Sequence, residues 1–345
     1  MKKVLIIGNM GYVGSELVKY LNKRKVYVDG LDTGFFSSNI NAKVSPEVNL
    51  NKQVFKDVRS INKGDLLGYD AIVYLAAISN DPMGQEFKNQ TIDINYKSAV
   101  KIAKLSKKTK IKRFIFASSC SVYGDSASEV KSESSRLNPL TTYAESKVLG
   151  EKDLSKLADK NFIVTSLRFA TACGISDRMR LDLVVNDFTA NSILNNKIVL
   201  LSKGNAYRPF ISVDDMCRAF EWAVQRNFFN GGAFCTVNVG NKNLNMKVIS
   251  LAKSIGLITN SKIIISSDAQ PDKRSYRVSY DKYYSLAKNH LPKDGMKLIT
   301  NKLIKLFSEN NFLDPNFRNT DMIRLKHLNR LIKSKKINRD LFWIH

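Results

Sequence analysis

One stretch near the start constrains this chain more than any other. A continuous apolar run, Lys3–Ile7, breaks into Gly8-Asn9-Met10-Gly11-Tyr12-Val13-Gly14, and helical spacing follows at Leu17, Val18 and Leu21. Glycine at these three places permits a tight turn, close approach of the backbone to a pyrophosphate, and close helix–strand packing. The helix start that follows offers free N–H groups and a favourable dipole to phosphates. The strand before and the helix after give the pattern the context that bare glycines lack. Asp32 closes a second strand, Val26–Leu31. A carboxylate there can accept hydrogen bonds from both adenosine ribose hydroxyls and would repel a 2′-phosphate, which points to NAD rather than NADP. Asp32-Thr33-Gly34 is also good turn chemistry, so a solvated turn aspartate is the structural alternative.

Strand and helix patterns then alternate. Apolar strands are predicted at Ala71–Ala76, Arg113–Ala117 and Phe162–Phe169, with helices at Asn95–Lys108 and Thr142–Ala158. Fully apolar strands alternating with helices imply a parallel sheet covered on both faces, the doubly wound Rossmann class of α/β fold. After about Ala170 the texture changes. A loop over Gly174–Asn186 leads into a helix, Leu183–Asn195. Then follow a short strand at Ile198–Leu201, a loop at Ser202–Pro209, a helix at Val213–Arg226 and a strand at Cys235–Val239. The tail Asn301–His345 reads as helical and basic. Ile323, Leu325, Leu328, Leu331 and Ile332 share one face, as expected of a helix docked on the body. Residues 1–170 plus about 209–240 are therefore expected to form the NAD-binding domain. Residues 171–208 plus 241–345 are expected to form a smaller C-terminal α/β domain.

Composition narrows the function. Lys+Arg is 55 against Asp+Glu at 31, a net charge of +24. That balance suits an anionic substrate such as a nucleotide diphosphate. The basic residues are dispersed, so no nucleic-acid-binding arm is expected. Cys120, Cys173, Cys217 and Cys235 form no CxxC pair and have no histidine nearby, which argues against a metal site or a disulfide framework. No apolar run approaches the roughly 20 residues that span a bilayer. The first apolar stretch stops at Gly8, too soon for a signal peptide. A soluble, cytoplasmic protein is expected. His290, His327 and His345 lie far from the motif-rich half, so a Ser-His-Asp hydrolase has no histidine in place.

The chemistry-bearing pattern is Tyr143-Ala144-Glu145-Ser146-Lys147 on a predicted helix. Residues four apart share a helical face. The lysine cation can lower the tyrosine pKa, bringing phenolate within reach of neutral pH, and can also hold a nicotinamide ribose. Upstream, a strand ends in Ala117-Ser118-Ser119-Cys120-Ser121-Val122-Tyr123-Gly124. A small hydroxyl at the C-terminal end of a parallel strand points into the ligand crevice.

Taken together, GNMGYVG, Asp32, SSCSVYG and YAESK resemble the extended short-chain dehydrogenase/reductases of the NAD-dependent epimerase/dehydratase group. Enzymes of this group act on nucleotide sugars, UDP-glucose 4-epimerase being the familiar relative. The resemblance runs from Met1 to roughly Lys282. It implies Tyr143 as acid/base, Lys147 as its partner and Ser119 as the active-site hydroxyl. It implies that Gly8, Gly11, Tyr12, Val13 and Gly14 meet the cofactor pyrophosphate, Asp32 and Thr33 the adenosine ribose, and Asp57 and Val58 the adenine. Leu75, Ala76 and Ala77 would pass along the cofactor, Asn95 would lie near the cofactor or active site, and Phe169 beside the nicotinamide. Thr171 stands where many relatives have asparagine.

Ser79 and Asn80 belong to a loop, Ile78–Gly84, that lines the sugar pocket in the family. There Asp81 either recognises hydroxyls or caps a turn. Ser121 would also face substrate. Asn186 and Arg208 match residues that grip the substrate diphosphate, with Pro209 replacing the usual aspartate. In Pro271-Asp272-Lys273-Arg274-Ser275-Tyr276-Arg277, either Arg274 or Arg277 would add a further guanidinium. Dehydratases of the group carry an acid pair after the active-site hydroxyl, where this chain has Cys120 and Ser121, so dehydration is disfavoured. The resemblance thus implies NAD as cofactor, a nucleotide-diphosphate sugar as substrate and epimerisation, most plausibly at C4. A one-way 4-dehydrogenase or 4-ketoreductase is the alternative. It further implies a homodimer through the helices around Asn95–Lys108 and Thr142–Ala158, and a setting in polysaccharide synthesis.

Overall fold

The computed structural model describes residues 2–38, 44–125, 129–270, 274–310, 312 and 314–344. Pro271-Asp272-Lys273 and His345 lie outside the described residues.

Seven strands make the main sheet. They are β1 (Lys3–Ile7), β2 (Tyr27–Asp32), β3 (Lys52–Phe55), β4 (Ala71–Tyr74), β5 (Arg113–Ser119), β6 (Ile163–Phe169) and β7 (Phe234–Val239). All pair in parallel, in the spatial order β7-β6-β5-β4-β1-β2-β3. The apolar runs produce this arrangement directly. Every residue of β4 and β6 is buried, as are Val4, Leu5, Ile6 and Ile7, which is possible only when helices cover both faces. The order reverses between β1 and β4. Ligand crevices open at such a switch point, beyond the carboxyl ends of the strands.

Two large apolar clusters flank the sheet. One gathers the first helix, Tyr12–Asn22, with the helix Val213–Gln225 and most of the later elements. The other lies on the opposite face and includes Leu5, Ile7, Leu31, Phe114 and Phe116. Leu328, Ile337 and Leu341 of the C-terminal tail are buried in this second cluster. The tail helix, Arg324–Lys333, is docked on the body as its apolar stripe predicts. Docking of the tail as a whole, helix and the segment after it, buries these three large aliphatic side chains, about 1.5–3 kcal/mol each.

Small sheets stand beyond the strand ends. Tyr207–Ser212 pairs with Thr171–Cys173 and with Asn245–Lys247, and Lys262–Gln270 pairs with Lys197–Ser202. The expected loop at Ser202–Pro209 is cut short, because Tyr207-Arg208-Pro209 already belongs to a strand. Strand β3 and Lys262–Gln270 escape sequence reading, the first because it is short and largely polar, the second because its apolar run Ile263–Ile265 gives way at once to polar residues. Among the described residues no helix is long and apolar enough to cross a membrane.

Candidate active site

A cleft of about 1000 Å³ runs across the C-terminal ends of the strands. That volume is at the top of the range for small-molecule sites. At one end lie the glycine turn and the loops after β2 and β3. At the other lie Arg208, Gln270, Arg274 and Tyr276. Ser119, Tyr143 and Lys147 line it between the two.

The glycine turn is shaped by contacts that no side chain would survive. Gly8 has φ +95°, and a Cβ there would stand 2.5 Å from the Ala76 amide nitrogen. A Cβ on Gly14 would stand 2.3 Å from the Gly8 carbonyl oxygen. The first helix starts at Gly11 with no side-chain cap and no acidic residue in its first turn. Its first N–H groups therefore remain available to an anion. The Asp32 carboxylate accepts the Met10 amide at 3.0 Å and the Gly34 amide at 2.8 Å. Burial pushes this carboxyl up, while those amides pull it down. Asp32 is half-buried, and its bond to the Gly34 amide two residues on is the turn contact that the sequence also allows. Val13, Thr33, Val58, Leu75, Ala76 and Ala77 also line the cleft. Asp57 lines it too, but Arg59 engages both of its oxygens, at 2.9 and 2.7 Å. An uncapped helix start, a Cβ-free cradle and a carboxylate beside it fit a dinucleotide such as NAD.

Tyr143 and Lys147 stand one turn apart on the helix Thr142–Ser155, which Thr141 caps by accepting the Ala144 amide. The Lys147 ammonium is buried, 4.9 Å from the Phe116 ring centroid and 5.6 Å from that of Tyr143. Burial pushes the lysine down to about 7, opposed by Glu151 one turn further on. Burial pushes the Tyr143 phenol up to about 12, while a hydrogen bond with Ser119 and the charge of Arg180 draw it back. Ser119 sits at the end of β5 and its Oγ accepts the Ser121 hydroxyl at 2.9 Å. Behind this trio Glu151 is locked by Arg168, Ser118 and Ser166, a fully buried network that fixes the helix against β5 and β6.

Other expected residues are placed differently. Asn95 does not line the cleft. Its amide clamps both polar groups of the Ile78 backbone, at 2.8 and 3.0 Å, and donates to Ser146 at 3.1 Å. It lies in a widened π-helical stretch, Asp93–Ser98, and so positions the loop after β4 indirectly. Asn186 is fully buried, accepting the Gly174 amide and donating to the Tyr12 hydroxyl and the Arg180 carbonyl. Its amide is thus spent on the protein and does not face a diphosphate. Arg277 lies outside the cleft lining, its guanidinium 5.1 Å from the Tyr207 ring centroid. Arg274, by contrast, lines the cleft and pairs with Asp81, whose other oxygen accepts the Thr141 hydroxyl. Arg208 lies over Tyr276 at 5.5 Å. Ser79, Asn80, Ser121, Phe169 and Thr171 all line the cleft.

Several cleft residues carry no motif. Arg180 holds Asp182 through two nitrogens and donates to the Ser79 hydroxyl at 2.9 Å. Asn80 donates to the same Asp182 at 2.7 Å. Arg318 grips Asp187 with two bonds of 2.7 Å. The alternation in Arg178-Met179-Arg180-Leu181-Asp182 was the available signal, since two arginines and a carboxylate in a loop after a Rossmann strand are seldom idle. Cys120 is buried, and its thiol is pushed up by burial. All four cysteines are free and buried.

A family model described as "NAD dependent epimerase/dehydratase family" matches residues 4–240. Among curated proteins, the chain is 32% identical over 238 residues to "Protein CapI" of Staphylococcus aureus, spanning 65% of this chain and 70% of CapI. It is 27% identical over 266 residues to "Uncharacterized UDP-glucose epimerase YtcB" of Bacillus subtilis, spanning 73% of this chain and 82% of that protein. Among solved structures, MoeE5 in complex with UDP-glucuronic acid and NAD is similar with a TM-score of 0.77 at 20% identity, over 89% of this chain and 99% of MoeE5. The UDP-N-acetylglucosamine 4-epimerase of Methanobrevibacter ruminantium M1 is similar with a TM-score of 0.73 at 20% identity, over 88% of this chain and 98% of that one. At such identity these structures speak for the fold.

Proposed function

The chain belongs to the NAD-dependent epimerase/dehydratase family, and on that premise we propose that it is an NAD-dependent nucleotide-sugar 4-epimerase. The observation that carries this reading is the meeting of Ser119, Tyr143 and Lys147 in one cleft with an uncapped glycine-turn helix. Burial holds the Tyr143 phenol protonated near neutral pH, contrary to the sequence expectation, so it takes the proton from the sugar C4 hydroxyl only as the phenolate, after losing its own. Ser119 hydrogen-bonds the same oxygen and, through its bond to the phenol, favours the phenolate. Lys147 offers a nearby positive charge as the phenolate forms. NAD, when bound, supplies a reversible hydride acceptor, so that oxidation at one face of the sugar carbon and reduction at the other leave no net redox change. The proton on Tyr143 returns to the oxygen in the second half of the cycle.

Arg208, Arg274 and Arg318 line the cleft with guanidiniums, the last two paired with Asp81 and Asp187, and their forked donors suit a nucleotide diphosphate. Elimination of water needs an additional free acid. Here Cys120 and Ser121 follow Ser119, and Asp81, Asp182 and Asp187 are each held by an arginine. This supports epimerisation over dehydration. Free, buried cysteines favour a reducing, cytoplasmic setting.

The test is product analysis. Pure protein with NAD and UDP-hexoses should yield the C4 epimer without accumulating NADH. Tyr143→Phe should lower the rate by about 10²–10⁴-fold with NAD affinity unchanged. Stoichiometric NADH release, or a Phe variant of full activity, would overturn the assignment.

A further inference from the structure

The C-terminal tail lies outside the segment matched by the family, yet it enters the cofactor end of the cleft. Arg324 opens the tail helix, lines the cleft and is 2% exposed. One terminal nitrogen donates to the Arg178 carbonyl at 3.0 Å, and the guanidinium lies 4.2 Å from the Phe36 ring centroid. The other terminal nitrogen, Nη1, is buried with no hydrogen-bond partner among the described residues. Arg178 is fully buried beside it, and its Nε and Nη1 are likewise unpartnered among the described residues. The neighbouring carboxylates do not settle these charges. Glu47 is taken by Arg178 and Asp182 by Arg180, while the Asp32 carboxylate accepts the two backbone amides described above. A buried guanidinium without a paired anion is costly, and the cost is recovered when an anion joins it. Burial and the charge of Arg180 already draw Arg324 down to about 9.

The rest of the tail is tied to the same end of the cleft. His327 bonds the Phe35 carbonyl at 2.6 Å. The Trp343 indole donates to the Thr33 carbonyl at 2.7 Å, and its ring lies 5.5 Å from that of Phe35. Arg59, which grips Asp57, donates to the Asp340 and Leu341 carbonyls at 2.7 Å each. Both segments expected at the adenosine, Asp32–Thr33 and Asp57–Val58, are thus braced by residues more than 280 positions later.

We propose that the C-terminal tail is part of the dinucleotide site, and that Arg324 supplies a charge-assisted donor to a phosphate of the bound dinucleotide. This rests on the dinucleotide reading of the cleft. Two phosphates share that chemistry, the diphosphate bridge and a 2′-phosphate. Asp32 at the ribose opposes the second, so the diphosphate is the assigned partner.

Calorimetric titration with adenosine, 2′-AMP and ADP-ribose tests this without any sugar substrate. Arg324→Met should weaken ADP-ribose by about 10–100-fold, the value of a hydrogen bond to a charged group. It should leave adenosine within about twofold. Arg324→Lys should recover part of the loss. Equal losses for adenosine and ADP-ribose, or no loss for either, overturn the proposal. A selective loss of 2′-AMP binding overturns the assignment to the diphosphate. Hydrogen exchange on the wild-type chain covers the case of a variant that does not fold. ADP-ribose should slow exchange across Arg324–Lys333 more than adenosine does, and identical exchange overturns the proposal. A wild-type chain that ignores ADP-ribose altogether sinks the dinucleotide reading itself, an outcome distinct from any of these.

Discussion

The two ends of the cleft are built by opposite means. The cofactor end is made mostly of backbone: a turn that excludes Cβ atoms, an uncapped helix start and a carboxylate held by amides. The far end is made of side chains from scattered segments, with Arg274 on Asp81 and Arg208 over Tyr276. Backbone sites depend on a few residues that must be small, so one wrong atom disables them. Side-chain sites share their task among several charges, so each loss is partial.

Gly11→Ala should break the contrast most sharply. A Cβ at Gly11 meets only the Gly8 carbonyl oxygen, at 3.3 Å, so the chain should still fold. The added methyl stands where a pyrophosphate must approach the backbone, and NAD affinity should fall by about 10–100-fold. Fluorescence titration reads this, and unchanged affinity would remove the glycine turn from the cofactor site. At the far end, Arg274→Met should raise the KM for a nucleotide sugar by about 10-fold with kcat within a few-fold. A collapse of kcat at constant KM would give Arg274 a role in the chemical step instead.

A smaller effect concerns stability. The unfolded chain keeps the Lys147 proton up to about pH 10.4, its ordinary value, whereas burial makes the folded chain release it near 7. Between those values the unfolded state binds more protons, so wild-type stability rises with pH across the window. Lys147→Met has no such penalty. Its gain in Tm should be greatest at pH 7 and below and should fade toward pH 10. A gain independent of pH would contradict a desolvated ammonium.

The smallest effect is on assembly. Lys97, Lys101, Lys104 and Lys108 share the face of the helix pair expected to form a homodimer, around a shallow depression. Like charges brought together there are relieved by salt. A dimer through this face should therefore tighten as ionic strength rises, as sedimentation would show. Weakening with salt would point to another face.

The same contrast explains what could be read in advance. The doubly wound sheet was legible because β1 and β4 are apolar almost throughout and β5 and β6 carry apolar stretches, Phe114–Ala117 and Ile163-Val164. The glycine turn and the tyrosine–lysine pair were legible because both are local, set within seven and five consecutive residues. The placement of Asn186 could not be read in advance, because its amide satisfies buried neighbours at Tyr12, Gly174 and Arg180, a fact no spacing encodes. Arg277 likewise carries the right chemistry in the right stretch, but its side chain turns to Tyr207 and away from the cleft. Arg180 and Arg324 went unread because their meaning arises only when loop and tail close on the sheet.

The bonds from His327 to Phe35 and from Trp343 to Thr33 span almost the whole polypeptide. During synthesis the loop after β2 leaves the ribosome about 290–310 residues ahead of its braces. At about 5–20 residues per second, roughly 15–60 s separate the two. For that interval a nascent chain can hold its first strands and still lack those braces, and a chain cut short before His327 never acquires them.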